Sequence, residues 1–280
     1  MSEENRLRSA IEAAKGEGRP AFIAYLTAGY PTRADTVPLL LALQAGGADI
    51  VELGVPFSDP LADGTTIQRA NEVALAQGVT IEECFRFAEE ARTAGFRLPL
   101  IFMGYYNPVL AYGERRTAAR ARDSGVDGFI VVDLPPEEAG DFLGACRAYG
   151  RRFIPLAAPT TPDARIPLLA SVTDAFLYCV SVTGVTGARE SLPPELPEFV
   201  ARVRRQTTLP LAVGFGISRR EHVVRVGELA DAVVVGSAIL AAIDAADAEQ
   251  RAARLQEYVE DVTGRRRADG DGPSRLGGTP

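Results

Sequence analysis

Short apolar runs rich in β-branched residues recur along the chain, each followed by a loop and then by a longer segment of helical period. Eight such runs stand at residues 21–26, 49–53, 98–103, 128–132, 152–156, 175–180, 210–213 and 232–235. That alternation predicts βα units and a parallel sheet. Eight units predict closure into a barrel, so the expected fold is α/β, a (β/α)8 TIM barrel with an extra N-terminal helix. A doubly wound open sheet is the competing architecture. Four of the runs share an approach: GGADIVEL, SGVDGFIVV, SVTDAFLYCV and ELADAVVVG each place a helix end, then Asp and a small residue, then apolar residues. The recurrence reads as a repeated αβ turn.

The intervening segments at 80–94 and 136–149 open with acidic residues and close with Arg near a Gly, as the helix macrodipole favours. A last amphipathic helix is expected at 246–262, followed by GRRRADGDGPSRLGGTP, which has almost no large apolar residue. Residues 1–263 are therefore expected to form one catalytic domain and residues 264–280 a disordered tail. The length of 280 residues suits one barrel, and 46% apolar with 24% charged residues suits an ordinary buried core.

A net charge of −7 argues against nonspecific nucleic-acid binding, which needs a basic footprint. An anionic ligand would have to be held by local dipoles. The first twenty residues are polar and amphipathic, without the apolar core of a signal peptide or a membrane span, so no membrane partner is expected and the cytoplasm is the default location. Cys84, Cys146 and Cys179 form no ligand spacing and read as reduced, packed thiols.

Active sites of parallel barrels lie at the C-terminal ends of the strands, so polar residues there are read first. Glu52 interrupts the apolar run ADIVELGVPF; a desolvated carboxylate at that point has its pKa pushed toward general acid/base range. The alternative is a glutamate satisfied by backbone or arginine. The loop that follows, residues 54–64, carries two prolines and two aspartates and is too long for a minimal βα connection. Its Asp63 reads either as a second functional carboxylate or as a turn or capping residue.

Three later loops form a second constellation: SVTGVTG after strand six, GFGIS after strand seven, and Gly236-Ser237 opening the final helix. Glycines that admit backbone amides, together with a helix N-terminus after strand eight, point to a bound phosphate. Absences narrow the chemistry. A Schiff-base aldolase needs a lysine at a strand end, and the only lysine, Lys15, precedes every strand. Metal-dependent aldolases on this fold generally need several histidines, and His222 stands alone on a helix, so no metal site is expected. Acid/base catalysis by carboxylates on a phosphorylated substrate remains.

At this level the residues become specific. The run VELGVPFSDPLADGTTIQ resembles the signature of tryptophan synthase alpha chains, and AFIAYLTAGYP, MGYYNPV, VDGFIVVDLPPEE, SVTGVTGAR, VGFGIS and VVVGSAI follow in the family's order. The resemblance implies cleavage of indole-3-glycerol phosphate into indole and glyceraldehyde 3-phosphate within tryptophan biosynthesis, without a cofactor. It implies Glu52 as the acid/base and Asp63 as the partner of the indole nitrogen, with Tyr178 near Glu52. Phosphate ligands map to Gly187, Gly216, Gly236 and Ser237, and indole-pocket residues to Tyr25, Ile67, Met103, Ile130 and Phe215. It also implies a PLP-dependent tryptophan synthase beta chain as partner in an alpha2-beta2 heterotetramer, docking beside Ser58-Asp59-Pro60 and Tyr106-Asn107-Pro108. Where the family most often has Pro after ADG this chain has Thr65, which bears on loop stiffness. The other readings are a stand-alone lyase releasing free indole and a barrel kept only as a regulatory or scaffolding subunit.

Overall fold

The apolar runs become one parallel sheet in the computed structural model, which describes residues 5–180, 193–214 and 216–265. Its strands are β1 (Ala21–Thr27), β2 (Ile50–Gly54), β3 (Leu100–Gly104), β4 (Gly128–Val131), β5 (Arg152–Phe153), β6 (Leu156–Ala157), β7 (Leu177–Val180), β8 (Leu211–Gly214) and β9 (Ala232–Val235). They stand in the order β5-β4-β3-β2-β1-β9-β8-β7-β6. The two edge strands, β5 and β6, are separated in the chain by Ile154 and Pro155 alone. The Ile154 N–H donates to the Phe129 carbonyl at 2.8 Å, and the Pro155 carbonyl accepts from the Tyr178 N–H at 3.1 Å. Both edges are thus one stretch of chain, and the sheet closes on itself. The expected barrel is the fold, with its fifth strand divided at Pro155, which has no N–H to give to a ladder.

The helices among the described residues are α1 (Arg6–Gly16), α2 (Thr36–Ala45), α3 (Thr65–Ala76), α4 (Ile81–Thr93), α5 (Tyr106–Tyr112), α6 (Glu114–Ser124), α7 (Gly140–Ala148), α8 (Ile166–Ser171), α9 (Leu196–Arg204), α10 (Arg220–Gly227), α11 (Ser237–Asp244) and α12 (Arg251–Thr263). α3, α5 and α11 are additions, inserted between a strand and the helix that returns to the next one. Gly236-Ser237 accordingly opens α11 rather than the final helix, and α12 follows as a separate element.

Inside the barrel Ile23, Ile50, Ile101, Ile130 and Ile154 form one buried cluster with Ala212, Ala232 and Val234. Leu7, Ile11 and Ala14 of α1 belong to the same cluster. Their spacing places them on one face of a helix whose N-cap, Asn5, accepts from the Arg8 N–H, so the extra N-terminal helix plugs the barrel floor. A second cluster fills the space between the outer face of the sheet and the helices, with Phe22, Leu39, Phe85, Phe102 and Phe142 among its members.

Three of the four recurrent aspartates seal that floor, while Asp174 instead pairs with Arg152. Asp49, Asp127 and Asp231 each donate their N–H to a carbonyl at the start of the preceding strand, those of Phe22, Leu100 and Leu211. Each carboxylate then accepts the N–H of that same residue, at 2.7, 2.9 and 2.9 Å. Arginines complete the arrangement: Arg19 and Arg265 on Asp49, Arg6 and Arg92 on Asp127, and Arg204 on Asp231 with Lys15. In these three the repeated turn is therefore a two-way bond that satisfies an amide at the start of a strand.

Candidate active site

Side chains alternate along a strand, so Glu52 and Gly54 share the inner face with Ile50 of the inner cluster. Glu52 is fully buried, and neither carboxylate oxygen has a hydrogen-bond partner. Burial pushes its pKa up to about 8. The satisfied-glutamate reading fails, because backbone and arginine both leave it alone.

Two tyrosines belong to the carboxyl's surroundings, one from the neighbouring strand β1 and one from β7 across the barrel. Tyr25 is the register partner of Glu52, and a Cβ on Gly54 would overlap the Tyr25 hydroxyl, so only a bare residue admits the ring there. The Tyr25 hydroxyl bonds that of Thr27 at 3.1 Å. Tyr178 pairs with Ala212, and a Cβ on Gly214 would fall 2.7 Å from its hydroxyl, which repeats the same device on β7 and β8. Burial first, and then the charges of both Glu52 and Asp63, push both tyrosines' pKa values up. One space therefore holds both carboxyls and both tyrosines.

Asp63 ends the loop between β2 and α3. The N-cap position of α3 belongs to Gly64, which makes no side-chain cap bond, and the Asp63 N–H closes a turn on the Pro60 carbonyl at 3.0 Å. The Asp63 carboxyl is left for other work and meets the Tyr105 hydroxyl. Burial raises its pKa to about 6, against the lowering effect of that hydrogen bond. Tyr105 also accepts the Ala62 N–H at 2.9 Å, and its ring stacks on Phe57 with centroids 5.1 Å apart. It thus fixes the loop at two points beside Asp63. Sequence reasoning assigned no role to Tyr105, although the run MGYYNPV contains it; a tyrosine just past β3, facing a long neighbouring loop, was the available signal. Thr65 is the first residue of α3, where proline's fixed φ would fit, so the departure from the family pattern removes stiffness at that junction.

Ile130 is fully buried in the inner cluster, its register partner Met103 packs against both clusters, and Ile67 of α3 lies in the outer cluster together with Tyr25. On the other side of Tyr25 lies Gly236, whose Cβ would sit 3.5 Å from that of Tyr25. Gly236 occupies the N-cap position of α11 with no side-chain cap, so the first N–H groups of that helix, from Ser237 on, lack an intrahelical partner. Gly216, after β8, has φ +63°, a left-handed conformation that suits glycine. Gly187 and Phe215 lie outside the described residues.

A desolvated strand carboxyl, a second carboxyl from the next loop and an open helix N-terminus after the last strand define a (β/α)8-barrel enzyme with its chemistry at the C-terminal rim. The chain belongs to the tryptophan synthase alpha chain family, whose sequence profile matches residues 11–266. It is 48% identical over 260 residues to the tryptophan synthase alpha chain of Roseiflexus sp. (strain RS-1), covering 93% of this chain and 100% of that one. It is also 48% identical to the protein named tryptophan synthase in Saccharomyces cerevisiae, covering 94% of this chain but 37% of the yeast protein. Among solved structures, a chain of the Pyrococcus furiosus tryptophan synthase complex superposes with a TM-score of 0.81 at 40% identity, over 88% of this chain and 99% of that chain. Mycobacterium tuberculosis tryptophan synthase gives 0.84 at 35% identity, over 93% and 97%.

Proposed function

We propose that this chain catalyses the retro-aldol cleavage of indole-3-glycerol phosphate into indole and glyceraldehyde 3-phosphate, with Glu52 and Asp63 as the catalytic pair. The observation that carries the reading is the fully buried Glu52 carboxyl without a partner. Such a group destabilises a fold, and a substrate that takes and returns its proton accounts for its presence. In the first step protonated Glu52 gives its proton to indole C3, and the positive charge that develops at the ring nitrogen is balanced by ionised Asp63. The Glu52 carboxylate then takes the proton of the chain hydroxyl. The bond from C3 to the glycerol chain breaks, its electron pair neutralises the ring, and the aldehyde leaves. Glu52 ends as it began, protonated, so no cofactor is required.

Tyr25, Ile67, Met103, Ile130, Tyr178 and Phe215 are the indole-side residues in this reading. Gly187, Gly216, Gly236 and Ser237 hold the phosphate through backbone amides and the open end of α11, which suits a dianion on an acidic protein. The experiment is indole release from indole-3-glycerol phosphate by the purified chain, with Glu52→Gln alongside; equal release by both would remove Glu52 from the mechanism.

Family membership implies partnership with a tryptophan synthase beta chain; the PLP-dependent enzyme and an alpha2-beta2 heterotetramer are the specific form proposed. In support, Leu61 is 91% exposed in the Asp63 loop and Leu110 is 55% exposed on α5, and Tyr105 ties these two elements together. A cytoplasmic location is proposed with it: no helix among the described residues is long and apolar enough to cross a membrane.

A further inference from the structure

The loop after β8 is fastened at Ser218 by side chains from two different helices. The Ser218 N–H donates to Nδ1 of His222 at 3.4 Å, and its carbonyl accepts from the Tyr258 hydroxyl at 3.0 Å. His222, the chain's single histidine, is buried on α10. Tyr258 reaches across from α12, and burial raises its pKa, so the hydroxyl stays a donor. Neither residue takes part in the cleavage chemistry.

A site made of backbone amides holds an anion only while those amides stay aimed at it. Gly214 and Gly216 stand on either side of residue 215, and glycine has the most conformational freedom to lose. A loose loop would have to be ordered each time an anion arrived, which weakens binding. Bonds to both the N–H and the carbonyl of Ser218, two residues beyond Gly216, impose that order before the ligand comes.

We infer that Tyr258 and His222 are positioning residues for the substrate's phosphate, holding the β8 loop so that the Gly216 amide stays directed at the anion. The inference rests on the phosphate reading of Gly216, Gly236 and Ser237. It assigns work to two side chains that otherwise look like packing at a helix interface.

Tyr258→Phe keeps the ring and removes the bond. Calorimetric titration of the whole chain with glycerol 3-phosphate should show affinity lower by about three- to tenfold, the range expected for one hydrogen bond. KM for indole-3-glycerol phosphate should rise by a similar factor while kcat and the affinity for indole hold, and amide exchange at Gly216 and Ile217 should quicken. Wild-type affinity for glycerol 3-phosphate in the variant overturns the inference, and so does an equal loss for indole, which would mean general loosening. Glycerol serves as the control: a wild type that binds glycerol and glycerol 3-phosphate alike overturns the phosphate reading together with the inference. A wild type that prefers the phosphate, beside an unaltered variant, overturns the positioning role alone.

Discussion

Glu52 and Asp63 both have pKa values raised by one dominant cause, burial, to about 8 and about 6, with Tyr105 moderating the second. In the proposed mechanism the active form has Asp63 ionised and Glu52 protonated. Activity should therefore fall below about pH 6 as Asp63 gains a proton and above about pH 8 as Glu52 loses one, a bell in kcat/KM for the free enzyme. Tyr105→Phe removes the bond that holds Asp63 down, so the acid limb should move to higher pH with the alkaline limb in place. A profile that shifts on both limbs, or on neither, would separate Tyr105 from Asp63. Glu52→Gln should abolish turnover and also stabilise the fold. Glu52 must take up a proton on folding wherever the pH lies between its ordinary value near 4.5 and about 8, so its burial costs stability that grows with pH across that window. At pH 7 the gain is on the order of 3 kcal/mol. Denaturant titrations of both proteins at pH 5, 7 and 9 check it, and a difference that does not widen with pH counts against this account. Glu52 was legible in the sequence as a lone carboxylate in an apolar strand, but only its unpartnered oxygens in the structure remove the alternative of a glutamate satisfied by backbone or arginine. Tyr105 was not, since a tyrosine at a strand end is compatible with plain packing until its hydroxyl's partners are known.

At the level of elements, the two glycine-and-tyrosine pairs decide where the rings stand. Gly214→Ala places a methyl 2.7 Å from the Tyr178 hydroxyl, while the next nearest ring atom is 3.2 Å away. Removing only that hydroxyl should therefore relieve most of the overlap. The expectation is a loss of kcat/KM of about tenfold or more in Gly214→Ala, with Gly214→Ala/Tyr178→Phe better than the product of the two single effects. Strict additivity in the cycle would show that the ring and the glycine act independently. The strand runs themselves were readable from apolar clustering, and the recurrent aspartates from their spacing. Their purpose was not, because a helix-to-strand turn and a carboxylate that caps an amide at the start of the neighbouring strand demand the same residues. The break at Pro155 did have a signal, the missing N–H, but a strand of two short halves and one of full length read alike when both lie in an apolar run. The last helix, expected at 246–262, begins instead at Arg251 after a 3-10 turn at Ala248–Gln250, which apolar spacing does not distinguish from helix.

For the molecule as a whole, the exposed Leu61 and Leu110 lie on the elements that carry and brace Asp63, so a partner seated there would act directly on the loop of the proposed catalytic Asp63. We expect the Asp63 loop of the isolated chain to sample open and closed arrangements, so that a beta chain favouring the closed one raises the competent fraction. Indole release should accelerate by at least about tenfold, worth roughly 1.4 kcal/mol, when a cognate beta chain is added. Rapid release by the isolated chain with no response to a beta chain would promote the stand-alone lyase instead. Thr65 at the head of α3 bears on the size of the effect, since a less rigid junction changes how readily the loop closes unaided.

The closure of the sheet also sets an order on the birth of the molecule. β1 is hydrogen-bonded to β2 on one side and to β9 on the other, and Arg265 returns to Asp49 across 216 residues of chain. On the ribosome, the early strands emerge long before the partner that completes them exists. A nascent chain therefore carries an unclosed sheet with a free edge at β1 until β9 has emerged, and long-range pairing of this kind is slow to form. The sheet closes only when β9 is free of the exit tunnel, which makes the β1 edge the place where a chaperone has the most to protect.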